Sequence, residues 1–211
     1  MLELSAEEYE GMCSLRECGV LTDAVSITEE YRNVAGEFRN SIFFGCPDSE
    51  RLHAKLVFHG GRLGQLLHPL GPNGGLMAAH PQSPLTPEHI SFPLDYYVFQ
   101  IQQAGVAKAT RSLSGYIHTP CGVGRMHGLT IFQQIELALI GRGVLDVCLG
   151  RTGLEFNVVP YHTVHLGEEY SRGGDLDKTF GISREAWVRH RDRWAEDIQS
   201  LPVRLIEFVT V

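Results

Sequence analysis

Lysine is almost missing from this chain. Of its 18 basic residues only three are lysines (Lys55, Lys108 and Lys178), and the formal net charge is −7 with an isoelectric point near 5.8. No basic stripe runs along any segment, which argues against nucleic acid as a partner. Long apolar runs are missing too. Nothing approaches the roughly 18 to 20 apolar residues that span a bilayer, and the longest apolar helical pattern is interrupted by Glu136 and Arg142, so no membrane partner is expected. The first residues, Met1 to Glu8, place no basic stretch ahead of an apolar one; they do not read as a secretory signal, and a cytoplasmic location is the expectation. Cysteine is scarce and odd in number: Cys13, Cys18, Cys46, Cys121 and Cys148 are scattered through the chain. In a reducing compartment that usage points to thiols and metal ligands rather than a disulfide framework.

What the chain does have is a hydrophobic share of 43% in 211 residues, ample for a packed core and large enough for one domain. Residues 1–38 read as a helical arm and 39–211 as an α/β core. In the arm, residues 5–18 form an amphipathic helix with a capping box of Ser5 and Glu8 and a stop at Gly19, and a less periodic helix runs from Ile27 to Phe38. The core opens with the strand-like run Ile42-Phe43-Phe44, followed by a helix over Ser49–Phe58 and a strand over Leu63–Leu70. Residues 71–90, rich in Gly and Pro, read as a long surface excursion. A helix over Pro93–Ala104, a strand over Thr110–His118 and a long helix over Leu129–Leu149 follow, the last open to a kink at Gly141 and Gly143. The remaining elements are a strand over Leu154–Val164, a helix over Ser183–Leu201 with Trp187, Trp194, Ile198 and Leu201 on one face, and a closing strand over Val203–Val211. Alternating strands and helices predict a mostly parallel central sheet flanked by helices.

The chemistry concentrates at two strand ends. Asn40-Ser-Ile-Phe-Phe-Gly-Cys46-Pro-Asp48-Ser-Glu-Arg51 is answered some seventy residues later by Ser114-Gly-Tyr-Ile-His118-Thr-Pro-Cys121-Gly. Two thiols and an imidazole at the carboxyl ends of parallel strands can converge on one edge of a sheet. Cys2His with one open position is a known catalytic zinc arrangement, whereas structural zinc normally takes four protein ligands. Each piece also has a plain structural reading. Free cysteine is among the most buried residue types, Asp48 beside Ser49 is a ready helix N-cap, and Arg51 fits a solvated first turn. Neither Cys46 to Arg51 nor Cys121 to Arg125 has the spacing of a cysteine-phosphatase loop. Gly122-Val-Gly124 lacks the third glycine of a dinucleotide fingerprint. His162-Thr-Val-His165, followed by Glu168 and Glu169, is a weaker metal candidate, because residues three apart on a strand face opposite ways.

The two motifs together resemble the β-carbonic anhydrases, which carry Cys-x-Asp-x-Arg after a first core strand and His-x-x-Cys-Gly after a later one. His118-Thr-Pro-Cys121-Gly122 matches the second motif completely. Cys46-Pro47-Asp48 matches the start of the first, with Arg51 one residue late. Phe92-Pro-Leu94-Asp-Tyr96-Tyr97-Val98, continuing to Gln103-Ala-Gly105-Val106, is similar to the family's intervening helix and its exit. The likeness spans roughly residues 40 to 126, and the long interval between the motifs implies an insertion at Gly71 to Pro87. The resemblance implies a β-carbonic-anhydrase-like lyase: Zn2+ held by Cys46, His118 and Cys121, and a water oriented by Asp48 with an Arg, here Arg51 or a nearby Arg125, holding the Asp. Phe43, Phe44 and Tyr97 would form the dry side of a CO2 pocket, and a homodimer or higher oligomer follows, with the helical arm as a surface that could cross to a partner. Two other functions stay open: attack on another small electrophile such as CS2 or COS, and a catalytically silent zinc-binding interaction protein.

Overall fold

The computed structural model describes residues 2–25, 40–46, 58, 60, 66–80, 82–85, 94–153, 156–171 and 176–201. Within these the chain builds one six-stranded sheet with helices packed on it. Helix α1 (Ala6–Glu17) starts on the expected capping box, the Ser5 hydroxyl accepting from the Glu8 N–H and the Glu8 carboxylate accepting from the Ser5 N–H at 2.9 Å. It leads into the short strand β1 (Leu21–Asp23). Strands β2 (Asn40–Phe44) and β3 (Leu66–Leu70) follow, then a 3₁₀ turn over Gly75–Ala78, α2 (Leu94–Ala107), β4 (Ser112–Thr119), the short α3 (Gly122–Met126) and the long α4 (Ile131–Gly150). The described residues then continue through β5 (Asn157–His165), α5 (Gly167–Tyr170), β6 (Asp177–Ile182), α6 (Arg184–His190), a second 3₁₀ turn over Arg191–Trp194 and α7 (Ala195–Ile198).

The sheet order is β1-β6-β5-β4-β2-β3. Strands β2, β3, β4 and β5 are mutually parallel, while β6 runs antiparallel to both β5 and β1. The sheet is therefore mixed rather than mostly parallel. The physical reason lies in the link after β5. A parallel return needs a crossover of a dozen or more residues, usually a full helix. Only residues 166–176 separate β5 from β6, too few for a crossover helix packed on the sheet, so the chain doubles back.

Strand β4, buried along all eight residues, is the centre of the molecule, and it carries small or polar side chains where its neighbours come close. The Ser41 hydroxyl lies 3.0 Å from that of Ser112 and 2.7 Å from that of Ser114, so this buried polar row satisfies itself. Helix α4 covers one face of the sheet, packing against β4, β5, α1, α2 and α7. It begins on a second capping box, Thr130 with Gln133, and runs unbroken through Gly141 and Gly143. Gly141 serves a close approach instead of a kink: a Cβ there would stand 1.9 Å from the Leu76 carbonyl oxygen.

The described part of the Gly/Pro-rich stretch is not a surface excursion. Leu76 and Met77 are fully buried, and Ala79, His80 and Ser83 nearly so, because the 3₁₀ turn wedges between α4 and β4. The expected helix over 183–201 is broken into α6, a 3₁₀ turn and α7, yet its inner face is as anticipated: Trp187 stacks on Trp194 at 5.3 Å and Trp194 on Phe132 at 4.8 Å. Trp187 donates its indole N–H to the buried Glu136 carboxylate, which also pairs with Arg191 at 3.4 Å. Helix α1 packs on β1 and α4 of its own chain, burying Met12 and Leu15. The expected elements over 27–38, 49–58 and 203–211 fall outside the described residues, except Phe58.

Candidate metal centre

The strand order reverses direction between β2 and β4, since the chain steps from β2 outward to β3 and then crosses back over β2 to β4. In open parallel sheets the crevice at such a switch point, beyond the carboxyl ends of the strands, is where ligands bind. Cys46 follows the end of β2 by two residues, and His118 and Cys121 bracket the end of β4. All three are buried, at 7%, 2% and 0% exposure.

The structure brings these three side chains into contact. The Cys46 sulfur accepts from the Cys121 thiol and from the backbone N–H of Gly74, with the His118 ring beside it. First the Cys121 thiol, then His118 and Gly74, hold Cys46 well below the usual thiol range, at about 4, against burial that pushes it up. Cys121 is driven the other way, by the same thiol–thiol bond and by burial, so the pair holds one proton between its two sulfurs. Cys121 also caps α3, its sulfur accepting from the Gly124 N–H at 3.5 Å. The His118 Nδ1 lies 3.1 Å from the Pro120 carbonyl oxygen, across a cis Thr119–Pro120 peptide. Since a carbonyl only accepts, Nδ1 carries the proton, and Nε2 is the nitrogen with the lone pair.

The loop over the site depends on glycine. Gly74 and Gly75 sit at φ +85° and +58°, and a Cβ on Gly75 would meet the Tyr116 carbonyl oxygen at 2.0 Å and the Cys46 nitrogen at 3.0 Å. Only bare backbone can aim the Gly74 N–H at Cys46 while passing this close to β4. Sequence reasoning missed these residues. The signal available was Pro72-Asn-Gly-Gly directly after a strand, a turn pattern read as solvent-facing.

The donor set has the chemistry of a Cys2His zinc site. Cys46 stands against both of the other donors, and among the described residues no group of three or more His, Cys, Asp or Glu side chains is arranged to hold an ion. Asp48 and Arg51 lie outside the described residues. Arg125 is committed elsewhere: its guanidinium grips Glu8, with Nε 3.2 Å from Oε1, and the Glu3 carbonyl. Burial pushes the Glu8 carboxyl up, yet Arg125 and the Ser5 N–H outweigh it and hold the group below its ordinary range. Phe43 and Phe44 cannot wall one pocket together, because successive strand residues face opposite ways. Phe44 meets Tyr97 edge-on at 5.4 Å, while Phe43 stacks on Tyr116 at 5.1 Å in the opposite layer.

The second histidine pair forms no counterpart. His162 is fully buried, with Nε2 2.8 Å from the Thr119 hydroxyl, and burial first, then nearby His118, pushes its pKa down to about 3, so it is neutral. His165 pairs instead with Asp177 at 3.0 Å. Comparison with family models, with curated proteins and with solved structures finds no match to this chain.

Proposed function

We propose that the chain is a zinc-dependent lyase of the β-carbonic-anhydrase kind, hydrating CO2 to bicarbonate. The observation that carries the reading is the convergence of Cys46, Cys121 and His118 at the switch point, with Cys46 in contact with both of the others. Zinc, when bound, acts as a Lewis acid that supplies a nucleophile from water at neutral pH. The protein's part is local. Cys46 and Cys121, giving up the proton they share, would be the sulfur ligands; His118 would bind through Nε2, its Nδ1–H fixed on Pro120. The Gly74 N–H keeps Cys46 in place and tempers its charge. Asp48, two residues past Cys46, is assigned the role of hydrogen-bond acceptor that orients the reacting water, with Arg51 holding Asp48 ionised. The proposal includes a homodimer, which light scattering at micromolar concentration checks.

The deciding experiment is metal analysis of the purified full chain together with stopped-flow CO2 hydration. We expect about one zinc per chain and activity that rises with pH. Asp48→Asn should remove most of that activity with zinc retained. Zinc without hydration would overturn the CO2 reading, and assays with CS2 and COS would then separate another small electrophile from a silent zinc protein. One observation favours a second reading: a cysteine sulfur accepting from a neighbouring thiol and a backbone N–H, beside an imidazole, is also the resting state of a redox-active dithiol. A chain that holds no zinc but forms a Cys46–Cys121 disulfide with a mild oxidant would establish that reading instead.

A further inference from the structure

Two of the three donors hang from one turn, and what holds that turn is a buried polar cluster on the other side of β4. Thr119 stands directly after His118, with only Pro120 between it and Cys121. Adjacent strand residues point to opposite faces, so the fixing of Thr119 on one face sets the orientation of His118 on the other. The Thr119 hydroxyl donates to the Gln134 side-chain oxygen at 3.3 Å and lies 2.8 Å from His162 Nε2. A hydroxyl has one proton; with that proton on Gln134, His162 must donate through Nε2–H, which selects its tautomer. Gln134 is held in turn by donation to the Leu129 carbonyl at 3.1 Å, and it packs 3.4 Å from where a Cβ on Gly124 would be, under the helix that Cys121 caps. Thr119, Gln134 and His162 are all wholly buried.

Three polar side chains in a region where Val, Leu and Phe would pack are costly to bury unless they satisfy one another. The cluster draws on α4, β4 and β5 together, so it ties the end of β4 to two elements that are themselves core. We infer that Thr119, clamped between His162 and Gln134, is the positioning residue for the His118–Cys121 turn, setting its two donors against Cys46. This rests on the zinc reading of the site.

The test is zinc affinity of the full chain by competition with a chromophoric chelator, with the visible bands of the Co2+-substituted protein as a second readout and urea unfolding as the control. Thr119→Val keeps shape and removes the hydroxyl; we expect affinity to fall about 10- to 100-fold and the cobalt bands to shift or weaken. Thr119→Ser, which restores the hydroxyl, should return both to near wild type. Gln134→Met removes the acceptor alone and should show a smaller loss of the same kind; if Thr119→Val does not fold, this variant decides. Wild-type affinity and wild-type cobalt bands in Thr119→Val, even with lowered stability, would overturn the inference and leave the zinc reading standing. A wild-type chain that takes up neither zinc nor cobalt would overturn the zinc reading, and this inference with it.

Discussion

Two neighbouring parallel strands, β4 and β5, each carry a histidine at or next to the carboxyl end, and the two meet different fates. At the end of β4, His118 finds two thiols, because the strand on its far side is β2 and the chain leaves β2 through Cys46. At the end of β5, His165 finds Asp177, because the next strand is antiparallel β6, whose first residue closes the edge. The residue type is the same, and the places differ little: His118 is next to last in β4 and His165 last in β5. The difference is the direction and order of the neighbour: a parallel pair at a switch point leaves a crevice where loops converge, whereas an antiparallel return fills it. The lesson is that a ligating residue is defined by what the topology sets opposite it.

The strongest way to break this contrast is by metal binding. Cys46→Ser or Cys121→Ser should abolish stoichiometric zinc uptake, while His165→Ala and Cys148→Ser should leave it intact. Zinc lost on removing His165 would place the site at the wrong strand end. Next in size is the backbone. Both ends use a glycine at positive φ, +58° at Gly75 and +66° at Gly167, but only Gly75 is crowded by backbone; nothing lies within 4 Å of a Cβ on Gly167. Gly75→Ala should cost about 3 kcal/mol or more, or prevent folding, and Gly167→Ala about 1 kcal/mol, both by urea unfolding. Equal costs would mean that the loop does not press on Cys46 and β4 as described.

A smaller effect is expected from the closed end itself. Asp177→Asn removes the carboxylate that His165 bonds at the sheet edge, and should cost under about 1 kcal/mol with zinc binding unchanged. The smallest belongs to neither end. Asp146 on α4 is raised to about 6, by burial against the lowering pull of Arg142 and Arg184. A carboxyl raised in the folded state contributes stability that is full below its unfolded value of 3.8 and is lost as pH rises through 6. With its side chain 37% exposed, solvent reduces the effect to about 0.5 kcal/mol, which Asp146→Asn should erase between pH 4 and 6.

Much of this architecture was legible in the residues, for local reasons. The Ser5–Glu8 box marks the start of α1, and the 3.6-residue spacing of Ile131, Ile135 and Leu139 marks α4. The apolar runs before Cys46 and Cys121 mark β2 and β4, and each of these signals is complete within a dozen residues. What escaped was non-local. Strand β6 carries no signature of its direction, since only the shortness of the link from β5 enforces an antiparallel return. Pro72-Asn-Gly-Gly reads as an exposed turn until β4 lies against it. The partnership of Thr119, His162 and Gln134 joins three elements and has no sequence spacing to betray it.

The sequence by itself determined which side chains could bind a metal and that two cysteines and a histidine would stand at strand ends, because alternation and run length are properties of a single segment. Only the tertiary structure decided that Cys46 meets Cys121 and His118 instead of either histidine of β5, that Arg125 is spent on Glu8, and that a glycine loop covers the site. Those outcomes depend on strand order and on how closely backbones approach, and both are settled by packing among segments far apart in the chain.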